Sequence, residues 1–235
     1  MYTKRGVLSL VARIFDPLGL FGPIIFRAKS IMQQTWVRGL AWDDPLPEDI
    51  HQDWSNFVSE LSHITSVKVP RHFGTRSAAP CYLLGFGDAS QRGYAAVVYL
   101  CTINDHGEHS VSLVGTKNKL APLKPLSVPR LELNAALLLV RWLLRIKNVL
   151  ESTLDIIDVY TWTDSTIVLT WLTVLHECCK QYVSNRLHQI SSILPNCKWR
   201  HVDSEYNPAD CASRGVRPLE LANLELYWNG PPFVY

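Results

Sequence analysis

Asp88, Glu132, Asp164 and Asp210 stand in four short contexts, GDAS, PRLEL, TDST and NPAD. Asp88 and Asp164 each close an apolar run with the look of a strand. Each is followed by small Ala, Ser or Thr residues, which leave room at a strand tip. Glu132 lies near the start of a long apolar helix, in a setting otherwise meant to be dry, where an ionised carboxylate is costly unless it is paired or holds a cation. Asp210 enters from a last short helix. Each acid alone has a plain structural reading: Asp at a strand end or helix N-cap, or a first-turn Glu answering the helix dipole with Arg130 beside it. Brought to one point, four carboxylates repel one another unless divalent cations compensate. Oxygen-only ligands suit magnesium or manganese, and no His/Cys cluster at zinc spacing occurs. Two such ions about 4 Å apart are the usual device for in-line phosphodiester cleavage: one readies a water, the other takes charge off the leaving oxygen.

The elements that must position these acids follow from periodicity. Residues 5–65 read as helices. Within them, 24–37 has Ile24, Ile25, Ala28, Ile31, Met32 and Thr35 on one side, and 47–64 has Ile50, Trp54, Phe57, Val58 and Leu61 at helical spacing. Residues 71–80 (RHFGTRSAAP) read as a linker. The period then changes to that of strands over 81–87, 94–103 and 110–116, with turn chemistry at Asn104-Asp105-His106-Gly107. A Pro- and Lys-rich loop precedes Val128–Leu150, which reads as apolar all round, belongs at the centre of a domain and puts Leu138 in the core. A strand over 154–162, helices over 165–175 and 180–194, a strand over 197–202 and the helix opened by Asn207-Pro208 complete the chain. The order β-β-β-α-β-α-α-β-α predicts an α/β fold: a five-stranded mixed sheet, antiparallel first and parallel later, with the site at the carboxyl ends of the parallel strands.

The bulk numbers set bounds. The chain has 235 residues, 47% of them hydrophobic, enough for one domain plus an appendage. No window is long and apolar enough for a membrane span, so no membrane partner is expected. The basic, briefly apolar start lacks a small-residue cleavage site, because Phe15-Asp16-Pro17 follows directly, which argues against a signal peptide. Six cysteines without a CxxC pair point to a reduced, intracellular setting. A net charge of +2 leaves any basic surface to be local.

The segments GFGDASQRGYAAVVY, GTKNKLAPLKPLSVPRLEL, TWTDSTIVLTWL, YVSNRLHQI and NPADCASRG together resemble the ribonuclease H region of BEL/Pao-type LTR retrotransposon polyproteins. RGVLSLVARIFDPLGLFGPIIFRAKSIMQQTW with AWDDPLPED resembles the thumb- or connection-like segment that follows the reverse transcriptase palm. YWNGPPF resembles the stretch leading toward the integrase. The resemblance implies three regions: 1–75 helical and thumb/connection-like, 76–217 ribonuclease H-like, and 218–235 leading toward an integrase. It implies the ribonuclease H-like fold and hydrolysis of the RNA strand of RNA–DNA hybrids during reverse transcription. It carries the catalytic and metal-binding roles onto Asp88, Glu132, Asp164 and Asp210, with two Mg2+ or Mn2+ ions. The partners it implies are the hybrid and the reverse transcriptase and integrase portions of the same polyprotein. No Tyr-x-Asp-Asp polymerase motif occurs, and the sequence looks like an internal slice of such a polyprotein. His201 precedes Asp210 on the last strand and is expected to be a packed or rim residue rather than a product-release histidine.

For the substrate side, Lys117, Asn118, Lys119, Lys124 and Arg130 surround the loop before the central helix and would hold one strand's phosphates. Lys180 and Arg186 would hold the other, and Arg92 reaches toward the backbone from the end of the first strand. Ser90, Asn118, Ser127 and Asn134 are candidates for sensing the 2′-OH. A solvated basic loop is the plain reading of the lysines. A catalytically weak nucleic-acid-binding module is the alternative to the enzyme. Other activities fit less well. A 3′–5′ exonuclease wants an acid where Ser90 stands, and the Asp-Thr/Ser-Gly turn of an aspartic protease is absent at Asp88 and at Asp164.

Overall fold

Why the chain turns sharply before its first long helix is visible in GLFGP. In a computed structural model, the Asp16 carboxylate accepts from the amides of Leu20 and Phe21, both at 2.9 Å. Gly19 takes φ +78°, and a Cβ there would sit 1.9 Å from the Thr116 carbonyl oxygen, so only glycine fits. The structure describes residues 2–70, 72, 73, 75, 80–103, 107–173, 179–195 and 197–234. The expected turn at Asn104-Asp105-His106, most of the linker, and residues 174–178, which include the last two of the helix expected over 165–175, lie outside the described residues.

Three N-terminal helices come first: α1 (Lys4–Ala12), α2 (Gly22–Val37) and α3 (Glu48–Glu60), the last followed by a 3-10 turn at Leu61–Ser66. The sheet is built from β1 (Pro80–Ser90), β2 (Gly93–Ile103), β3 (His109–Leu120), β4 (Asp155–Thr163) and β5 (Lys198–His201), in spatial order β3-β2-β1-β4-β5. β1–β2 and β2–β3 are antiparallel, and β1–β4 and β4–β5 are parallel, as the sequence pattern predicts. Between the strands run α4 (Val128–Leu150), α5 (Thr166–Thr173) and α6 (Gln181–Ile193). The short helices α7 (Asp210–Arg214), α8 (Pro218–Leu221) and α9 (Glu225–Asn229) follow β5.

Strand alternation divides the core into two layers. Leu83, Ala96, Val98, Leu100 and Val114 point to α4, meeting Leu139, Trp142 and Leu143, and α6 backs α4 through Val183, Leu187 and Ile190. Leu84, Phe86, Ala95, Val97 and Tyr99 point the other way, to a core shared with Ile24, Ala28 and Ile31 of α2, Trp54 and Phe57 of α3, Ala212 of α7 and Tyr227 of α9. Packing is thus continuous from the N-terminal helices through the sheet to the last helices. Tyr227 closes the circuit: its buried hydroxyl meets the Thr116 hydroxyl at 2.9 Å and donates to the Leu20 carbonyl at 2.9 Å. Arg217 adds an ion pair to Glu60, its Nε 2.9 Å from Oε1.

The structure corrects two sequence expectations. α4 is not apolar all round: Asn134, Leu138, Arg141, Arg145 and Asn148, at helical spacing, form an outward stripe, with Leu138 half-buried and Arg141 and Arg145 exposed. Leu139, fully buried, holds the place expected for Leu138. Leu139→Ala is therefore expected to cost about 2–5 kcal/mol as a core cavity, and Leu138→Ala less than half of that. Paired urea melts check this; equal costs would put the helix in another rotation. Second, Lys117, Asn118 and Lys119 are not in a loop. β3 runs on to Leu120, pairing Lys117 with Ala96 and Lys119 with Tyr94.

Candidate nuclease site

Each acid is delivered by a different element to the same end of the sheet. Asp88 is inside β1, not after it, opposite Ala95 of β2. Its alternation turns it toward α7, where it is 4% exposed and accepts from the Ser213 hydroxyl. Asp164 follows β4 directly and accepts from Ser204 Oγ at 2.7 Å. Glu132, in the first turns of α4, accepts from Ser165, a buried hydroxyl that also receives the Val168 amide at the start of α5. Asp210 is the first residue of α7 and accepts from Arg214 Nε at 2.5 Å.

Asn207, fully buried, sets where α7 begins. Its Nδ2 donates to the Gly87 carbonyl at 3.2 Å, and its Oδ1 accepts from the Ala209 amide at 3.1 Å. One side chain thereby ties the Asp210 helix to the strand carrying Asp88. Sequence reading passed over Asn207, Ser165, Ser204, Ser213 and Arg214. For all but Ser204 the available signal was polar residues within four positions of the acids in TDST and NPADCASR; the partner each one takes depends on the fold.

The four acids share one electrostatic neighbourhood. Burial pushes the Asp88 carboxyl up to about 7, with the Ser213 hydrogen bond opposing and the charges of Asp164 and Asp210 adding to the rise. Burial also raises Glu132, with Ser165 opposing and Asp164 adding. Asp164 thus couples Glu132 to Asp88, and Asp88 is coupled to Asp210. Among the described residues no group of three or more His, Cys, Asp or Glu side chains stands at metal-holding distances; each carboxylate is turned to its own serine or to Arg214. The donor chemistry still fits a hard divalent cation, since carboxylate and hydroxyl oxygens surround the site. Asp88, buried among like charges, is held in a state that a cation would relieve.

A second feature lies across the N-terminal end of α4. A cleft of about 550 Å3 is lined by Tyr94, Lys119, Asn134, Arg141, Tyr182 and Arg186, with no carboxylate among its described lining residues. Arg186 is fixed there: Nε donates to Asn134 Oδ1 at 2.6 Å, and the guanidinium lies 3.4 Å from the Tyr182 ring centroid, with Arg130 at 4.9 Å from the same ring. Lys119, Arg130 and Arg186 thus come together. Lys124, Lys180 and Arg92 are exposed on separate elements, Arg92 near the Arg214 carbonyl at 3.5 Å. Three others are committed to holding the fold. Lys117 donates to the Pro17 carbonyl at 3.3 Å and lies over Trp142. Asn118 donates to the Gly22 carbonyl at 2.8 Å. Ser90 is buried and donates to the Ser213 carbonyl at 2.8 Å. His201 is a rim residue, 3.7 Å from Asp203.

Against known proteins, residues 3–165 match the family described as Pao retrotransposon-like RNaseH-like domain. That range holds Asp88, Glu132 and Asp164, together with the N-terminal helices. Similar solved structures include the N-terminal RNase H domain of a Mycobacterium tuberculosis protein fused to maltose-binding protein, with 8% identity, 62% of this chain and 97% of that one covered, and a TM-score of 0.39. RNase H1 of the archaeon Halobacterium salinarum gives 13% identity, 55% and 90% coverage and a TM-score of 0.32. LC11-RNase H1, isolated from compost and solved with an RNA/DNA hybrid, gives 15%, 54% and 88%, and 0.32. No curated protein matches.

Proposed function

Since the chain belongs to the Pao retrotransposon-like RNaseH-like family, we propose that it is a metal-dependent endonuclease that hydrolyses the RNA strand of RNA–DNA hybrids. Its setting is a retrotransposon Pol polyprotein engaged in reverse transcription, with reverse transcriptase and integrase portions as neighbours. The observation that carries this reading is the delivery of Asp88, Glu132, Asp164 and Asp210 by four elements to one end of a mixed sheet, with Asp88 buried there.

Asp88, Glu132, Asp164 and Asp210 would hold two Mg2+ or Mn2+ ions. Bound there, such ions supply charge compensation for an attacking water and for the departing 3′ oxygen. The chain's own residues do the rest. Ser213 and Asn207 keep Asp88 and the Asp210 helix in register. Burial of Asp88 keeps the local dielectric low, which strengthens every charge interaction there. Lys119 and Arg186 line a cleft on the other side of α4's first turns, with Arg130 against its Tyr182 ring, suited to the phosphates of one strand while the other lies at the acids.

A hybrid-cleavage assay with magnesium tests the proposal. Folded protein that binds hybrid and never cuts it rejects the enzyme and favours the second reading, a nucleic-acid-binding module without turnover. That reading is favoured by one observation, the hydrogen bonds that already satisfy all four carboxylates. The cleft has its own test. Replacing Lys119 and Arg186 together by Ala is expected to weaken hybrid binding about tenfold and to lower the salt slope by about one per lost phosphate contact. An unchanged salt dependence in a fluorescence-anisotropy titration would remove the cleft from the substrate path.

A further inference from the structure

Arg214 is out of place among the acids: a guanidinium four residues after Asp210, on the same short helix, bonded through Nε to Asp210 Oδ1 at 2.5 Å. Its side chain is 62% exposed, so this contact is not enforced by burial. Its charge also reaches Asp88 and Asp164. No other cation is bonded to the four acids among the described residues; the serines that hold Asp88, Glu132 and Asp164 are neutral. Within this set only Asp210 is held by charge, and the group holding it is itself mostly exposed to solvent.

We infer that Arg214 is the resident counter-cation of the acid cluster, occupying Asp210 while no metal is bound and surrendering it when a divalent ion enters. The inference rests on reading the four acids as a cation site. Like charges crowded together are relieved by any positive group of the right reach. A long exposed arginine supplies that relief with little to lose on release, since an exposed ion pair is weak. A guanidinium left in place would oppose an arriving dication both by charge and by holding one of its ligands. Affinity for the ion is thereby set by a competition within the protein.

The test is Mn2+ binding by the full chain without substrate, read by electron paramagnetic resonance or calorimetry. Arg214→Gln, which keeps length and loses charge, is expected to bind Mn2+ about tenfold more tightly than wild type and to melt at lower temperature in EDTA. Arg214→Lys, which keeps the charge, is expected to stay within about threefold of wild type. In the wild type, the Arg214 Nε–H resonance should change along the same titration curve as Mg2+ uptake. Equal or weaker Mn2+ binding by Arg214→Gln overturns the inference, as does an Nε–H signal unmoved at saturation, a readout that stands if the variant fails to fold. If wild type and variant both bind no ion, the metal-site reading falls with it. If both bind alike, only the role of Arg214 falls.

Discussion

Asp88→Asn is expected to lower hybrid cleavage by about a thousandfold or more while making the protein more stable in EDTA. Both effects come from one carboxyl, which burial and the neighbouring Asp164 and Asp210 charges push from an ordinary value of 3.8 up to about 7. The sign follows from which state ionises first. Below pH about 4 the folded and unfolded chains both carry the proton, and the group is neutral in the balance. As the pH rises through the window to about 7, the unfolded chain gives up its proton and the folded chain keeps it, so stability falls. Above about 7 the whole penalty is present. Asparagine keeps an oxygen for Ser213 and has nothing to ionise. The gain at pH 8 should be on the order of 4 kcal/mol, or about 10 °C in Tm, and should vanish near pH 4. Thermal melts of both proteins in EDTA at the two pH values decide the matter. A variant with normal turnover would remove Asp88 from the site, and a stability difference independent of pH would show that ionisation of Asp88 is not its cause.

Phe26→Ala is expected to cost about 3–5 kcal/mol and to reduce cleavage in proportion to the loss of folded protein. Phe26 lies on α2, in the stretch that resembles a separate thumb-like segment, yet it is fully buried. Its ring lies between two glycines of the site-bearing elements. A Cβ on Gly93, the first residue of β2, would meet Phe26 at 2.7 Å, and one on Gly215, just past α7, would meet it at 3.0 Å. The two glycines therefore leave the space that the ring fills, and the ring fixes both the turn beside Ser90 and the helix carrying Asp210. Neighbouring bonds point the same way: the Val216 amide donates to the Pro23 carbonyl at 3.3 Å, and Gln33 Nε2 to the Ala121 carbonyl at 2.8 Å. Deleting residues 1–75 should leave an insoluble remainder. A soluble, cooperatively melting 76–235 fragment with wild-type cleavage would show that α2 is dispensable.

Much of this architecture was legible because period and punctuation are local. Alternating apolar runs ending in GDAS and TDST mark strands and their tips, and the order of strands and helices predicts the mixed sheet. Nothing local could show that Lys117 and Asn118 belong to a strand: KNKL is polar, and β2 alone keeps it in register. The outward stripe on α4 was hidden because Leu138 is apolar and because apolar residues flank Arg141 and Arg145 along the chain. The serine partners of the acids were invisible for a related reason. Ser213 is 125 positions from Asp88 and Ser204 is 40 from Asp164, so their pairing exists only once the sheet is assembled.

The hydroxyl of Tyr227 joins the last helices to the carbonyl of Leu20, and this has a consequence for how the chain is made. A ribosome releases α1, α2 and the β1–β2–β3 meander long before Tyr227 emerges. Until then, the layer around Tyr99 and Leu113 lacks its cover. That layer is therefore sealed only after Tyr227 has emerged, when α9 reaches the face of β3 left for it.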